Sequence, residues 1–183
     1  MTNHVERKSG NTLRLEIVSR EQFESFISKD RADGFAKTYI AKCNMIKAWD
    51  RTIGAWDGPE LMGAITTTVS KFKPYCANLQ LLHTFVKHRK KGVAKVLCEY
   101  SLDYAIRNNA EYFRVSAEPE AVEFYRRIGF KFWGKQKSGC SLSLFKINGS
   151  TFQEGIYVRD SYTESKLFSG RKGCVTELYE EVK

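Results

Sequence analysis

At 183 residues, with 42% apolar and 28% charged side chains, the chain has room for one sizeable core and not for two comfortable ones. No stretch approaches the roughly 18 apolar residues that a membrane-spanning helix needs, and Met1 to Asn11 is too polar for a secretory leader. The net charge of +9 belongs to the residues before 148, because residues 148–183 carry slightly more acid than base.

In chain order, residues 1–12 read as a flexible end. Leu13 to Val18 alternates apolar and polar side chains, as a half-buried strand does. Ser19 then precedes Arg20-Glu21-Gln22, a capping box, with Phe23, Phe26 and Ile27 at helical spacing. A second helix is expected over Gly34 to Ala48, where Phe35, Tyr39, Ile40, Cys43 and Ile46 fit a 3.6-residue period. Thr52 to Trp56 and Leu61 to Val69 are strand-like, and Asp57-Gly58-Pro59-Glu60 between them makes a hairpin. Pro74 marks a loop, and Leu79 to Val86 reads as a strand buried on both faces.

A long helix is predicted over Gly92 to about Asn108. Lys95, Glu99, Asp103 and Arg107 form one charged stripe carrying both signs, opposite Val93, Val96, Leu97, Tyr100 and Tyr104. Tyr112 to Ala117 is a strand. Pro119 opens a short helix ending near Ile128, with Gly129 placed to cap it. Phe130 to Trp133 and Cys140 to Ile147 are expected as the last two core strands. The alternation of strands and helices predicts an α/β domain over residues 13–147, with a mixed sheet and helices on both faces. Residues 148–183 follow as an extension packed on or near that domain; Ile156 to Val158 and Val175 to Leu178 are its strand-like pieces.

The five cysteines are scattered, with no Cys-x-x-Cys pair, and the three histidines lie far from them in sequence. Reduced thiols, a cytoplasmic location and no metal are therefore expected.

The densest charge run is Lys87-His88-Arg89-Lys90-Lys91, directly before the long helix. Such a run is a nucleic-acid patch, a solvated face or the rim of a phosphate site. Its context favours the last. The first amides of a helix have no partner within it, and the helix dipole draws negative charge there. Gly92 lets a ligand approach the backbone. The pattern is neither a Walker loop nor a dinucleotide-binding fingerprint.

Arg89-Lys90-Lys91-Gly92-Val93-Ala94 resembles the Arg/Gln-x-x-Gly-x-Gly/Ala signature of the GNAT superfamily of N-acetyltransferases. Ala121-Val122-Glu123-Phe124-Tyr125-Arg126-Arg127-Ile128-Gly129-Phe130 resembles that superfamily's later Ala-x-x-x-Tyr-x-x-x-Gly-Phe segment, with one strand between the two. The resemblance covers roughly residues 13 to 147. It implies a splayed central sheet in which strands 79–86 and 112–117 part around acetyl-CoA. Arg89, Lys90, Lys91, Gly92, Val93 and Ala94 are then expected on the pyrophosphate. Backbone groups of Phe85 and Val86 are expected on the pantetheine arm, one N–H acting as an oxyanion donor. Tyr125, beside the sulfur, is expected as general acid, with direct attack by the amine and no covalent enzyme intermediate.

The chain departs from the pattern in two places. The loop from Val86 to Arg89 is shorter than usual, and Glu118 stands where the family often has asparagine. An alkylamine must lose a proton at pH 7, at a cost of roughly 4 to 5 kcal/mol, which makes Glu118 and His83 candidates for general base. The bland rivals are a solvated basic run, Tyr125 as a core aromatic, and His83 as a satisfied core histidine. The expected partner is an amine, on a small molecule or a macromolecule; nucleic acid is a weaker option, a homodimer is left open, and no membrane is expected. The alternative is an inactive GNAT-fold protein that binds nucleic acid or regulates.

Overall fold

The computed structural model describes residues 3–6, 12–27, 34–157 and 175–179. Along them run β1 (Asn3–Glu6), β2 (Thr12–Ile17), α1 (Arg20–Ser25), α2 (Gly34–Met45), β3 (Thr52–Asp57), β4 (Glu60–Val69) and β5 (Cys76–Thr84). They continue with α3 (Val93–Arg107), β6 (Tyr112–Ala117), α4 (Val122–Arg127), β7 (Gly134–Gln136), β8 (Ser141–Lys146) and β9 (Val175–Leu178). The chain divides into two compact units, residues 1–68 with 80–101, and residues 69–79 with 102–183. Strand β5 and helix α3 each contribute to both. Among the described residues no helix is long and apolar enough to cross a membrane.

In the first unit β1, β2, β3 and β4 form an antiparallel run, and the second half of β5 lies next to β4. Neighbouring residues on a strand face opposite ways, and β4 shows what each face meets. Thr66 accepts or donates a bond of 2.7 Å with the Tyr39 hydroxyl of α2, whereas Thr67 bonds the Ser101 hydroxyl of α3 at 2.6 Å. Helices therefore cover both faces. Beneath α1 and α2 lies an aromatic core in which Phe23 stacks on Tyr39 with ring centroids 4.8 Å apart. The capping box is formed as expected: Ser19 Oγ accepts from the Gln22 N–H, and the Gln22 side chain accepts from the Ser19 N–H.

The second unit orders its strands as the first half of β5, then β6, β8, β7 and β9. The β5–β6 ladder is parallel and covers Cys76–Leu79 with Tyr112–Val115. On the other edge of β6 the antiparallel ladder with β8 continues through Ala117. Ser116 and Ala117 thus run past the end of the parallel ladder. Phe113, Phe130, Phe145 and Phe152 fill this unit's core, with Phe130 and Phe152 centroids 4.3 Å apart.

The mixed, splayed α/β architecture stands, with three differences in detail. Asn3–Glu6, expected within a flexible end, pairs with β2. Phe130 to Trp133 is not a strand: the Phe130 N–H caps α4 on the Tyr125 carbonyl at 3.0 Å, and Phe132 and Trp133 are both buried, which a pleat alternating its faces does not allow. The strand follows at Gly134–Gln136 instead. Strand β5 ends at Thr84, Gln80 on it is exposed, and Val86–His88 coils into a 3-10 turn. In the extension, Ile156 bridges Lys146 and Val175–Leu178 pairs with β7, while Val158 lies outside the described residues.

Candidate active site

The basic run occupies the turn between β5 and α3, within the first unit. After the 3-10 turn at Val86–His88, Lys90 takes φ 61 and Gly92 takes φ 79, both left-handed. Left-handed residues interspersed along a turn gather backbone N–H groups into a concave anion site, and the first turn of α3 adds its unpaired amides and dipole. The helix proper begins as Val96 N–H bonds the Gly92 carbonyl at 3.2 Å. A Cβ placed on Gly92 meets no atom within 4 Å, so the mouth of the turn is open. Arg89, Lys90 and Lys91 are exposed around it, Val93 is buried and Ala94 is half-buried.

Two members of the run do something else. The Lys87 ammonium is paired with the Glu60 carboxylate at the start of β4, and that pair holds the Glu60 carboxyl below the usual carboxylate range. The His88 ring is only 4% exposed, with Nε2 3.5 Å from Glu60 Oε1. Burial pushes its pKa down, outweighing the attraction of Glu60. Arg89, Lys90 and Lys91 remain as the exposed cations of the turn, with Arg89 Nε donating to the Thr84 carbonyl at 3.3 Å. Sequence reasoning missed Glu60, which lies 27 residues from Lys87 and gave no local signal.

Phe85 and Val86, expected near the pantetheine arm, follow directly on β5, and the Phe85 N–H donates to the Met62 carbonyl at 3.1 Å. The Phe85 and Val86 carbonyls accept from His88 and Arg89 N–H at 2.8 and 3.2 Å, closing the 3-10 turn. His83 sits inside the aromatic core, its ring 5.0 Å from Phe85 and 5.9 Å from Phe23. That is the setting of a core histidine.

In the second unit, Tyr125 lies in α4 and is 5% exposed, its ring 5.3 Å from Phe130 and 5.1 Å from Phe124. Its carbonyl accepts from Ile128 and Phe130 N–H, and Gly129, at φ 112, makes the sharp exit. Glu118 is exposed and precedes the 3-10 turn Pro119–Ala121, with its carbonyl accepting from Ala121 N–H at 2.9 Å.

A family profile described as the acetyltransferase (GNAT) domain matches residues 12–159. The chain belongs to the GNAT acetyltransferase family. Solved structures of similar fold include the PaiA N-acetyltransferase of Thermoplasma acidophilum in complex with coenzyme A. It is 15% identical, with a TM-score of 0.56 over 74% of this chain and 99% of that one. The NatC complex bound to Gag peptide and coenzyme A gives 15% identity and a TM-score of 0.52, over 74% and 98% of the two chains. A point mutant of the AtaT toxin, bound to the C-terminus of the antitoxin AtaR and acetyl-CoA, gives 15% and 0.53, over 73% and 92%. At these identities the likeness is one of fold. None of the curated proteins matches the sequence.

Proposed function

We propose that this GNAT protein is an N-acetyltransferase with acetyl-CoA as donor and an amine as acceptor. One observation carries the reading: the turn at Lys90–Gly92 is left-handed, open at Gly92 and ringed by three exposed cations at the start of a 15-residue helix. Arg89 to Ala94 would hold the diphosphate. Once bound, the donor supplies a thioester that the amine attacks directly. Tyr125 holds the proton that the departing thiolate takes up as the carbon–sulfur bond breaks and the carbon–nitrogen bond forms. Glu118, a solvent-facing carboxylate, receives the proton that the amine gives up. His83 is set aside as base, given its place in the core.

Isothermal titration with acetyl-CoA and a turnover assay against mixed amines test this together. We expect micromolar binding that Gly92→Glu abolishes, since that change places a strained residue and a negative charge in the anion site. Tyr125→Phe is expected to lower turnover by roughly 10- to 1000-fold with little change in donor affinity. Absence of binding at millimolar acetyl-CoA sinks the enzyme reading and favours an inactive GNAT protein. Unchanged turnover in Tyr125→Phe returns that tyrosine to a packing role.

A further inference from the structure

In the second unit, the loop from Ser70 to Tyr75, between β4 and β5, exposes an aromatic ring between two ammonium groups. Phe72 is 83% exposed, and Lys71 and Lys73 on either side are exposed as well. The loop is not slack. Ser70 Oγ lies within donor reach of the Phe72 carbonyl at 3.0 Å and of the Pro74 carbonyl at 3.3 Å, and it accepts from Cys76 N–H at 2.9 Å. Ser70 N–H also bonds the Cys76 carbonyl at 2.9 Å. At the base of the loop, the Tyr75 carbonyl takes bonds from Glu111 and Tyr112 N–H, and Lys73 Nζ lies 5.9 Å over the Tyr75 ring. Among the described residues neither Lys71 nor Lys73 pairs with a carboxylate. The strand register places exposed Lys146 opposite Tyr112 at the same end of the sheet, and Glu111 beside Tyr112 is exposed as well.

A phenyl ring left in water forgoes about 1.5 to 3 kcal/mol of burial free energy. The hydroxyl clamp holds the loop's shape before any partner arrives, so little ordering remains to oppose binding. A partner that suits the ring and both cations together must offer a flat apolar face between negative groups. Single-stranded nucleic acid offers this, because each base is a stacking face joined to phosphates. A lipid surface fits less well, since one ring and two cations on a narrow loop supply only a single point of insertion. The net charge of +9 also favours a polyanion.

We propose that the loop 70–75 contacts single-stranded nucleic acid, with Phe72 stacked on a base and Lys71 and Lys73 against the flanking phosphates. The proposal does not depend on the acetyl-transfer reading, and none of its residues belongs to the cofactor turn.

Fluorescence anisotropy of the full chain with a labelled single-stranded RNA of about a dozen nucleotides tests it, across a salt series. Phe72→Ala is expected to weaken binding roughly 10-fold, Phe72→Trp to preserve it, and Phe72→Leu, apolar but not flat, to behave like alanine. Lys71→Ala with Lys73→Ala should reduce the slope of log affinity against log salt by about 1.4, the value for two lost phosphate contacts on a single strand. Acetyl-CoA affinity and the thermal midpoint should not move in any of these variants. The proposal is overturned if the wild-type chain binds no RNA at low salt, or if Phe72→Ala or the lysine pair leaves binding and slope unchanged. It is also overturned if Phe72→Leu binds like wild type. Loss in Phe72→Ala of binding to mixed phosphatidylserine–phosphatidylcholine vesicles, with RNA binding intact, would assign the loop to membranes instead.

Discussion

His88 shows how far one residue's surroundings can depart from what its neighbours suggest. It stands in a run of cations, yet its ring is buried and its nearest carboxylate oxygen, on Glu60, is 3.5 Å away and already engaged by Lys87. The groups that act on it are Glu60, which favours its charged form, and Lys87 and Lys91, which oppose it; burial is the largest influence and lowers its pKa below 6.5. The sign follows directly. As pH falls through 6.5 the unfolded chain takes up a proton that the folded chain refuses, so stability declines until the folded pKa is reached. Glu60, whose pKa is lowered, contributes stability that is present above 4.5 and lost below it, in a separate and more acid window. His88→Gln should therefore flatten the fall in urea midpoint that begins as pH drops through 6.5 while leaving the more acid decline in place. Parallel curves for variant and wild type would show that His88 stays neutral in both states or is charged in both.

At the scale of elements, the approach of β4 to β5 depends on the missing side chain of Gly63. A Cβ there would lie 2.5 Å from the His83 carbonyl oxygen and 3.2 Å from the Thr84 Cα, both of them backbone, with Val93 Cγ1 of α3 at 3.3 Å. No flexible side chain can give way, so Gly63→Ala must separate the two strands. The expected cost is about 1 to 3 kcal/mol, read as a lower urea midpoint at unchanged slope; a midpoint within a few tenths of a kcal/mol of wild type would show that the strands part freely. What the sequence revealed at this scale was whatever is local. The capping box at Ser19 and Gln22 and the Gly58-Pro59 turn involve residues only a few positions apart, and both formed as expected. The charged stripe on α3 appears as the pairs Lys95–Glu99 and Arg107–Asp103. The basic turn before α3 was legible because its glycine, its cations and the helix start are contiguous. Other features needed distant partners. Asn3–Glu6 is a strand because β2 is there to receive it, and Phe132 and Trp133 are both buried because the Phe130 N–H closes α4 on Tyr125 while the Trp133 N–H bonds Leu142 of β8. Glu60 reaches Lys87 only through the hairpin, and the bond from the Phe85 N–H to Met62 has the same long-range origin.

At the scale of the whole molecule, the +9 charge and the open cationic turn make a joint claim about what kind of ligand stabilises the chain. A ligand that binds only the folded form raises its stability by about 2.7 kcal/mol at 100 times its dissociation constant. For a chain of this length each kcal/mol shifts the thermal midpoint by roughly 2 to 4 °C. Acetyl-CoA at that concentration should therefore raise the midpoint by roughly 5 to 10 °C. If recognition rests on the diphosphate, ADP alone should give a measurable part of the shift, and added salt should shrink both effects as it screens the exposed cations. Pantetheine, which has the thiol arm without phosphates, should give almost none at equal concentration. Gly92→Glu should abolish the response to ADP and acetyl-CoA alike, because both depend on the same amides. A full shift with pantetheine and none with ADP would place the binding free energy in the arm, and the electrostatic account of the turn at Arg89–Ala94 would have to be given up.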